Sequence, residues 1–294
     1  MGKILITGAT GHFGKATIEY LLQKGINANQ IYALVREENK AGDLKAKGIN
    51  IVIGNYDDYA SLTTAFNGVD KLLFISASDI NKRLPQHENV VKAAKEAGVK
   101  HVVYTSFERK NETETSPIWG LAQAHLNTEK WLTESGLTHT ILRNNLYMDF
   151  IPFCIGEKVL QTGTIYLPAS SGKVSAALRS EMAEAAANIL ATSGHENKTY
   201  NITNTEAYTY ADVASYISEA TGKEIQYVSP SVDEYNQTLT NAGVPAEYIG
   251  IFSGFSTAQA QGDLEAVSND LQNLIGRKPT SLKDFLKIVY SSNN

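Results

Sequence analysis

Lys3-Ile4-Leu5-Ile6-Thr7-Gly8-Ala9-Thr10-Gly11-His12-Phe13-Gly14 opens the chain, and its reading decides the fold. Ile4, Leu5 and Ile6 form a short apolar run, and Gly8, Gly11 and Gly14 follow at a three-residue spacing. A helix is predicted next, from about Phe13 to Lys24, with Ile18, Leu21 and Leu22 on one face and Gly25 as its stop. Strand, glycine turn and helix is the arrangement a dinucleotide site needs. Gly8 suits the tight turn out of the strand, Gly11 leaves bare backbone for a pyrophosphate, and Gly14 lets the helix pack closely on the sheet. Thr10, His12 and Phe13, the other members of the turn, count with the glycines as cofactor-binding candidates.

Outward from this turn, short apolar runs alternate with helical patterns. Strands are predicted at Ile31–Val35, Ile49–Ile53, Leu72–Ile75, His101–Tyr104 and Thr138–Leu142. Between them lie a short helix ending at Gly48 and a helix carrying Leu62, Ala65 and Phe66. Two more run from about Pro85 to Ala97 and from about Trp119 to Glu134. Continuous apolar strands alternating with helices predict an α/β fold, a doubly wound parallel Rossmann sheet with ligands beyond the carboxyl ends of its strands. After Asn144 the rhythm breaks, although a helix near Arg179–Thr192 and a strand near Thr199–Thr203 are expected to return to the sheet. The expected division is a nucleotide domain of residues 1–144 and 175–204, with a small, mainly helical lobe of residues 145–174 and 205–294.

Composition narrows the function classes. The chain has 294 residues, a formal net charge of −5 and ordinary apolar content, which gives no electrostatic reason to expect nucleic acid or a membrane as partner. The single cysteine, Cys154, excludes an internal disulfide framework. The histidines at 12, 87, 101, 125, 139 and 195 are scattered, so no metal site is expected. Neither a G-x-S-x-G elbow nor a Walker G-K-[ST] occurs. Absence of an opening apolar segment or spanning run leads to the expectation of a cytoplasmic protein, monomeric or homodimeric.

Chemistry is sought at the strand ends. Arg36 stands where an acidic residue would bind the ribose diol of NAD and an arginine would grip the 2′-phosphate of NADP, with Lys40 one turn on, so NADP(H) is the expected cofactor. Glu37 is the objection, since it would serve a diol if the strand ended one residue later. Asn55-Tyr56-Asp57, Ser76-Ala77-Ser78, Thr105-Ser106-Phe107 and Arg143-Asn144 should border the same groove. Phe107, Tyr147 and Phe150 would wall a flat aromatic pocket, and Gln86 and His87 would open the helix after the fourth strand. A short-chain dehydrogenase usually carries Tyr-x-x-x-Lys on the helix after its fifth strand, where Leu121 and His125 stand here. A ketone needs a proton donor in step with hydride transfer, whereas a quinone or cationic dye accepts hydride first. His125, Asn144 and Tyr147 are therefore the catalytic candidates, His125 as a later proton donor or ribose contact, or as a structural partner of Glu129.

The quoted turn, together with Ala33-Leu34-Val35-Arg36, Lys71-Leu72-Leu73-Phe74-Ile75-Ser76, Val99-Lys100-His101-Val102-Val103-Tyr104-Thr105-Ser106 and Gly194-His195-Glu196-Asn197-Lys198-Thr199-Tyr200-Asn201, resembles the NmrA-like branch of atypical short-chain dehydrogenases. Within that branch the likeness is to bacterial quinone reductases and triphenylmethane dye reductases. It implies an NADP-binding domain, a C-terminal substrate lobe and two-electron reduction of a small aromatic or quinone-like acceptor without a Tyr-Lys pair. The branch also includes nucleotide-binding redox sensors, so a sensor without turnover stays open. Sugar-nucleotide epimerisation, which the fold alone allows, is disfavoured by the missing Tyr-x-x-x-Lys.

Arg36 carries a direct prediction. Arg36→Ala lowers affinity for NADPH by about ten- to a hundredfold, the worth of a charge-assisted contact, while NADH affinity changes by less than about threefold. Fluorescence titration with both nucleotides checks this, and equal losses would place the phosphate contact elsewhere.

Overall fold

The computed structural model describes residues 2–291. The strands among them are β1 (Ile4–Ile6), β2 (Ile31–Val35), β3 (Asn50–Ile53), β4 (Lys71–Phe74), β5 (His101–Phe107), β6 (His139–Asn144), β7 (Thr164–Tyr166), β8 (Lys198–Ile202) and β9 (Gln226–Val228). The first helices are α1 (His12–Gln23), α2 (Gly42–Ala46), α3 (Tyr59–Phe66), α4 (Ile80–Glu96), α5 (Trp119–Ser135), α6 (Ile151–Ile155) and α7 (Val159–Thr162). After them come α8 (Arg179–Ala191), α9 (Tyr210–Thr221), α10 (Val232–Asn241), α11 (Ala246–Ala260), α12 (Asp270–Ile275) and α13 (Leu282–Ser291).

Seven strands form one parallel sheet in the order β3-β2-β1-β4-β5-β6-β8. The apolar strands are buried on both faces, α1 and α8 packing on one and α3, α4 and α5 on the other. Strand order reverses between β1 and β4, so their carboxyl ends frame the crevice in which such sheets bind ligands.

Several boundaries differ from the sequence reading. α4 begins at Ile80 rather than near Pro85, because the Asp79 carboxylate caps it by accepting from the backbone N–H groups of Asn81 and Lys82. Pro85 gives up one ladder bond inside the helix, and the early start sends Arg83, Gln86 and His87 to its buried face. Gln86 and His87 therefore lie in the second turn, not at the opening. β5 and β6 run on to Phe107 and Asn144, since Thr105, Ser106 and Phe107 pair with Leu142, Arg143 and Asn144.

The lobe gathers a separate apolar core from α6, α7, α9 to α11 and α13, around the parallel pair β7–β9. α12 departs from the expected division. Leu271 is fully buried in the core beneath α1 and α8, Asp270 accepts the Asn201 N–H of the edge strand β8 at 2.8 Å, and the Leu274 carbonyl accepts from Asn188 at 2.6 Å. The helix thus closes the β8 edge of the seven-stranded sheet.

The glycine turn has the tightest backbone approach of β1 to α1. Gly8 has φ +56°, and a Cβ added to Gly14 would stand 2.5 Å from the Gly8 carbonyl oxygen and 2.8 Å from the Ala9 Cα. Gly14→Ala is expected to destabilise the fold by about 1–3 kcal/mol, the usual cost of forced overpacking, in urea unfolding. A midpoint equal to wild type would mean that α1 can back away from β1 freely.

Candidate functional site

Two clefts meet beyond the carboxyl ends of the strands. The first, about 400 Å³, is polar and runs from the glycine turn past the end of β2 to the β4–α4 corner. Gly8, Thr10, Gly11, Arg36, Asn55, Tyr56, Asp57, Ser76, Ala77 and Ser78 line it, so these predicted residues are brought together. The first turn of α1 has neither a side-chain cap nor an acidic residue, which leaves its N–H groups facing the cleft without competition. Arg36 is exposed and makes no ion pair among the described residues. Glu37, the residue that would argue for a diol, is held by Lys40 at 2.7 Å, and Lys40 is turned away from the cleft by the same contact.

The floor is rigidly tied. The Tyr56 hydroxyl donates to the Ile75 carbonyl at 2.7 Å, and Gln86 donates to both Asp57 carboxylate oxygens at 3.0 and 3.1 Å. The β4–α4 corner hangs on three side chains: the Ser76 N–H donates to the Thr105 hydroxyl at 2.9 Å, the Ala77 N–H to His87 Nε2 at 2.9 Å, and Arg83 Nε to the Ala77 carbonyl at 2.7 Å. Since Nε2 of His87 accepts, its proton sits on Nδ1 and is given to Thr128 at 2.8 Å. The Tyr104 hydroxyl then has Nδ1 of His125 as its acceptor, at 2.7 Å.

The second cleft, about 390 Å³, is walled by apolar and aromatic side chains of the lobe and of the segment after β6. Tyr147 and Phe150 line it, with Ile151, Tyr208, Phe252 and Phe255 among the other walls. Phe153 stands against both Phe150 and Phe252 at its mouth, with ring centroids 5.7 and 5.8 Å away. Ser78 belongs to both clefts. Burial raises the Tyr147 hydroxyl above its ordinary pKa, the Arg179 cation stacked 4.6 Å from its ring and Asn144 opposing the rise.

Other predicted residues stand elsewhere. His125 is buried between Tyr104 and Phe107, lines neither cleft and makes no side-chain hydrogen bond with Glu129, whose carboxylate goes to Ser106, Arg109 and Arg143. Burial and the nearby Arg83 cation hold its pKa well below 6.5, so it holds no second proton to deliver at neutral pH. Arg143 pairs with Glu129 at 2.6 Å; Glu129 also takes Arg109 at 3.1 Å and the Ser106 hydroxyl, a buried network that occupies both predicted cofactor residues. Phe107 lies behind the apolar wall, edge-on to Phe255 at 6.0 Å. Asn144 is buried in β6 and reaches neither cleft, and Thr105 acts on the polar cleft through the Ser76 N–H. His12, Phe13 and Gly14 form the first turn of α1 and are not among the residues lining the cleft. Reading the sequence missed Lys82 and Arg83, which the early start of α4 brings to the polar and apolar clefts respectively. The Asp79 cap signal would have found them.

The profile of the NmrA-like family matches residues 1–286. The chain belongs to that family. It is 38% identical to quinone oxidoreductase 2 of Escherichia coli over 291 residues, which cover 99% of this chain and 100% of that one. Among solved structures of similar fold, an NADPH-dependent quinone oxidoreductase from Escherichia coli complexed with NADPH superposes with a TM-score of 0.91 at 37% identity, covering 98% of this NmrA-like chain and 99% of its own. Triphenylmethane reductase of Citrobacter sp. complexed with NADP(H) gives 0.89 at 40% identity, with 97% and 99% covered.

The buried histidines set a pH limit. Burial pushes His87 down to about 3 and His101, bonded to Thr140 at 2.8 Å, down to about 4. Both values lie below 6.5, so the unfolded chain takes up protons that the folded one refuses. Their contribution is complete above about pH 6.5 and is lost as pH falls, by up to about 1.4 kcal/mol per unit for each histidine. Urea unfolding across pH 7 to 4.5 should show this decline, and a flat profile would mean that the imidazoles titrate normally.

Proposed function

We propose that the protein is an NADPH-dependent reductase acting on a flat, conjugated, quinone-like acceptor. The observation that carries this reading is the meeting of a polar cleft at the sheet's switch point with an aromatic-walled cleft at Ser78. The polar cleft fits the nucleotide. Gly14 permits the close approach that brings the uncapped first turn of α1 to the pyrophosphate, Arg36 is free for the 2′-phosphate, and Ser76 to Ser78 border the nicotinamide half. NADPH, when bound, supplies hydride.

The chain's own groups do the remaining work by placement. The β4–α4 corner, fixed by Thr105, His87 and Arg83, holds the boundary between the two clefts. Tyr147, Phe150, Phe252 and Phe255 press a planar acceptor into register and keep water out. The two positions on α5 that usually carry the tyrosine and the lysine hold Leu121, which is apolar, and His125, which is buried and neutral. Such a site favours an acceptor that takes hydride before it needs a proton. The similarity to quinone and triphenylmethane reductases supports the same reading.

Steady-state oxidation of NADPH at 340 nm with a series of 1,4-benzoquinones and naphthoquinones tests the proposal. Turnover with several of them is expected, NADH serving less well. Tight NADPH binding with no turnover across quinones and dyes would overturn it in favour of a nucleotide sensor.

A further inference from the structure

Among the described residues lining the apolar cleft Arg83 is the one cation; Arg179, stacked on Tyr147 and Phe150 behind the wall, is paired with Asp149 at 2.7 Å. Arg83 is 7% exposed; its Nε is spent on the Ala77 carbonyl, and its buried Nη1 has no hydrogen-bond partner. Among the described residues no carboxylate forms an ion pair with it. Asp79, the nearest acid in sequence, is committed to capping α4. The Tyr208 hydroxyl, in the same wall, is likewise buried and unpartnered. A guanidinium does not escape this by losing its proton. The Asp79 carboxylate acts on this guanidinium only through space. A desolvated charge without a bonded counter-charge is costly, and that cost is recovered when a ligand brings an oxygen with negative charge to it. Apolar walls strengthen such an attraction.

We propose that Arg83 is the specificity-determining residue of the apolar cleft, selecting acceptors whose oxygen is anionic or becomes anionic on reduction and rejecting permanently cationic dyes. The inference rests on the reductase reading for its chemistry. A quinone that gains hydride receives two electrons and one proton, and its carbonyl oxygen takes the negative charge beside the guanidinium. A proton from water then completes the hydroquinone, and the nucleotide is left oxidised. A triarylmethane cation meets like charge in the same place. Tyr208 can donate to the same oxygen, with Arg83 the dominant partner because it carries the charge.

Calorimetry needs no turnover and separates this inference from the reductase reading. Naphthalene-2-sulfonate and neutral naphthalene-2-sulfonamide are titrated, without nucleotide, into wild type, Arg83→Met and Arg83→Gln, the glutamine keeping an amide donor for the Ala77 carbonyl. Wild type is expected to prefer the anion by about tenfold or more, and both variants to lose that preference while binding the neutral compound within about threefold of wild type. In turnover, Arg83→Met should lower kcat/KM for 1,4-naphthoquinone by about tenfold and raise that for a cationic triarylmethane dye. Equal binding of the two naphthalenes by wild type, or a preference that survives in a folded variant, would overturn the proposal. Arg83-dependent anion binding in an enzyme that reduces no quinone would uphold this site and sink the reductase reading alone.

Discussion

The hydrogen of Gly14 faces the Gly8 carbonyl across a gap in which a Cβ would stand only 2.5 Å from the oxygen. That backbone approach lets α1 lie hard against the end of β1, and the geometry around it follows. The helix axis points its unsatisfied N–H groups into the crevice where strand order reverses between β1 and β4. A side chain at this position would push the helix off the sheet and widen the α1 end of the cleft.

On the opposite bank, the β4–α4 corner is held by Thr105 of the neighbouring β5 and by His87 and Arg83 of α4 itself. Each bond contributes on the order of 1 kcal/mol, so the corner is held by the set and not by one member. The two imidazoles at 87 and 125 are scaffolding. Their neutrality follows from burial among Phe74, Tyr104 and Phe107, and their fixed tautomers orient the corner and the tyrosine behind it. Arg83 connects the corner to the apolar cleft. Its Nε braces the backbone while the rest of its guanidinium stands where the lobe's aromatic walls begin.

Glu129 forms a comparable node beneath the other side of the site. It gathers Arg109, Arg143 and the Ser106 hydroxyl at the ends of β5 and β6. Removing its carboxylate would leave the two guanidinium groups, one of them fully enclosed, with the exposed Glu112 at 3.2 and 3.5 Å as their remaining shared counter-charge. This need for charge balance takes two strand-end residues away from the polar cleft, although they stand at strand ends like the residues that line it.

The sequence by itself determined the parallel α/β class, from apolar strands alternating with helices, and the strand–glycine turn–helix of Ile4 to Gly14, because apolar continuity, glycine spacing and helical periodicity are local properties of the chain. Val35-Arg36 and Ser76 to Ser78 were legible for a related reason: in such sheets the residues just past β2 and β4 have few places to go. The start of α4 was not legible from Pro85, since the competing Asp79 cap prevails, and with it went Arg83. Nor was the fate of His125, Ser106 and Arg143, or of α12. Which side chain turns to a cleft and which satisfies a buried neighbour depends on partners distant in sequence, such as Tyr104 for His125, Glu129 for Arg143 and the edge of β8 for Asp270. Only the packed tertiary structure brings those partners within bonding distance and so decides between them.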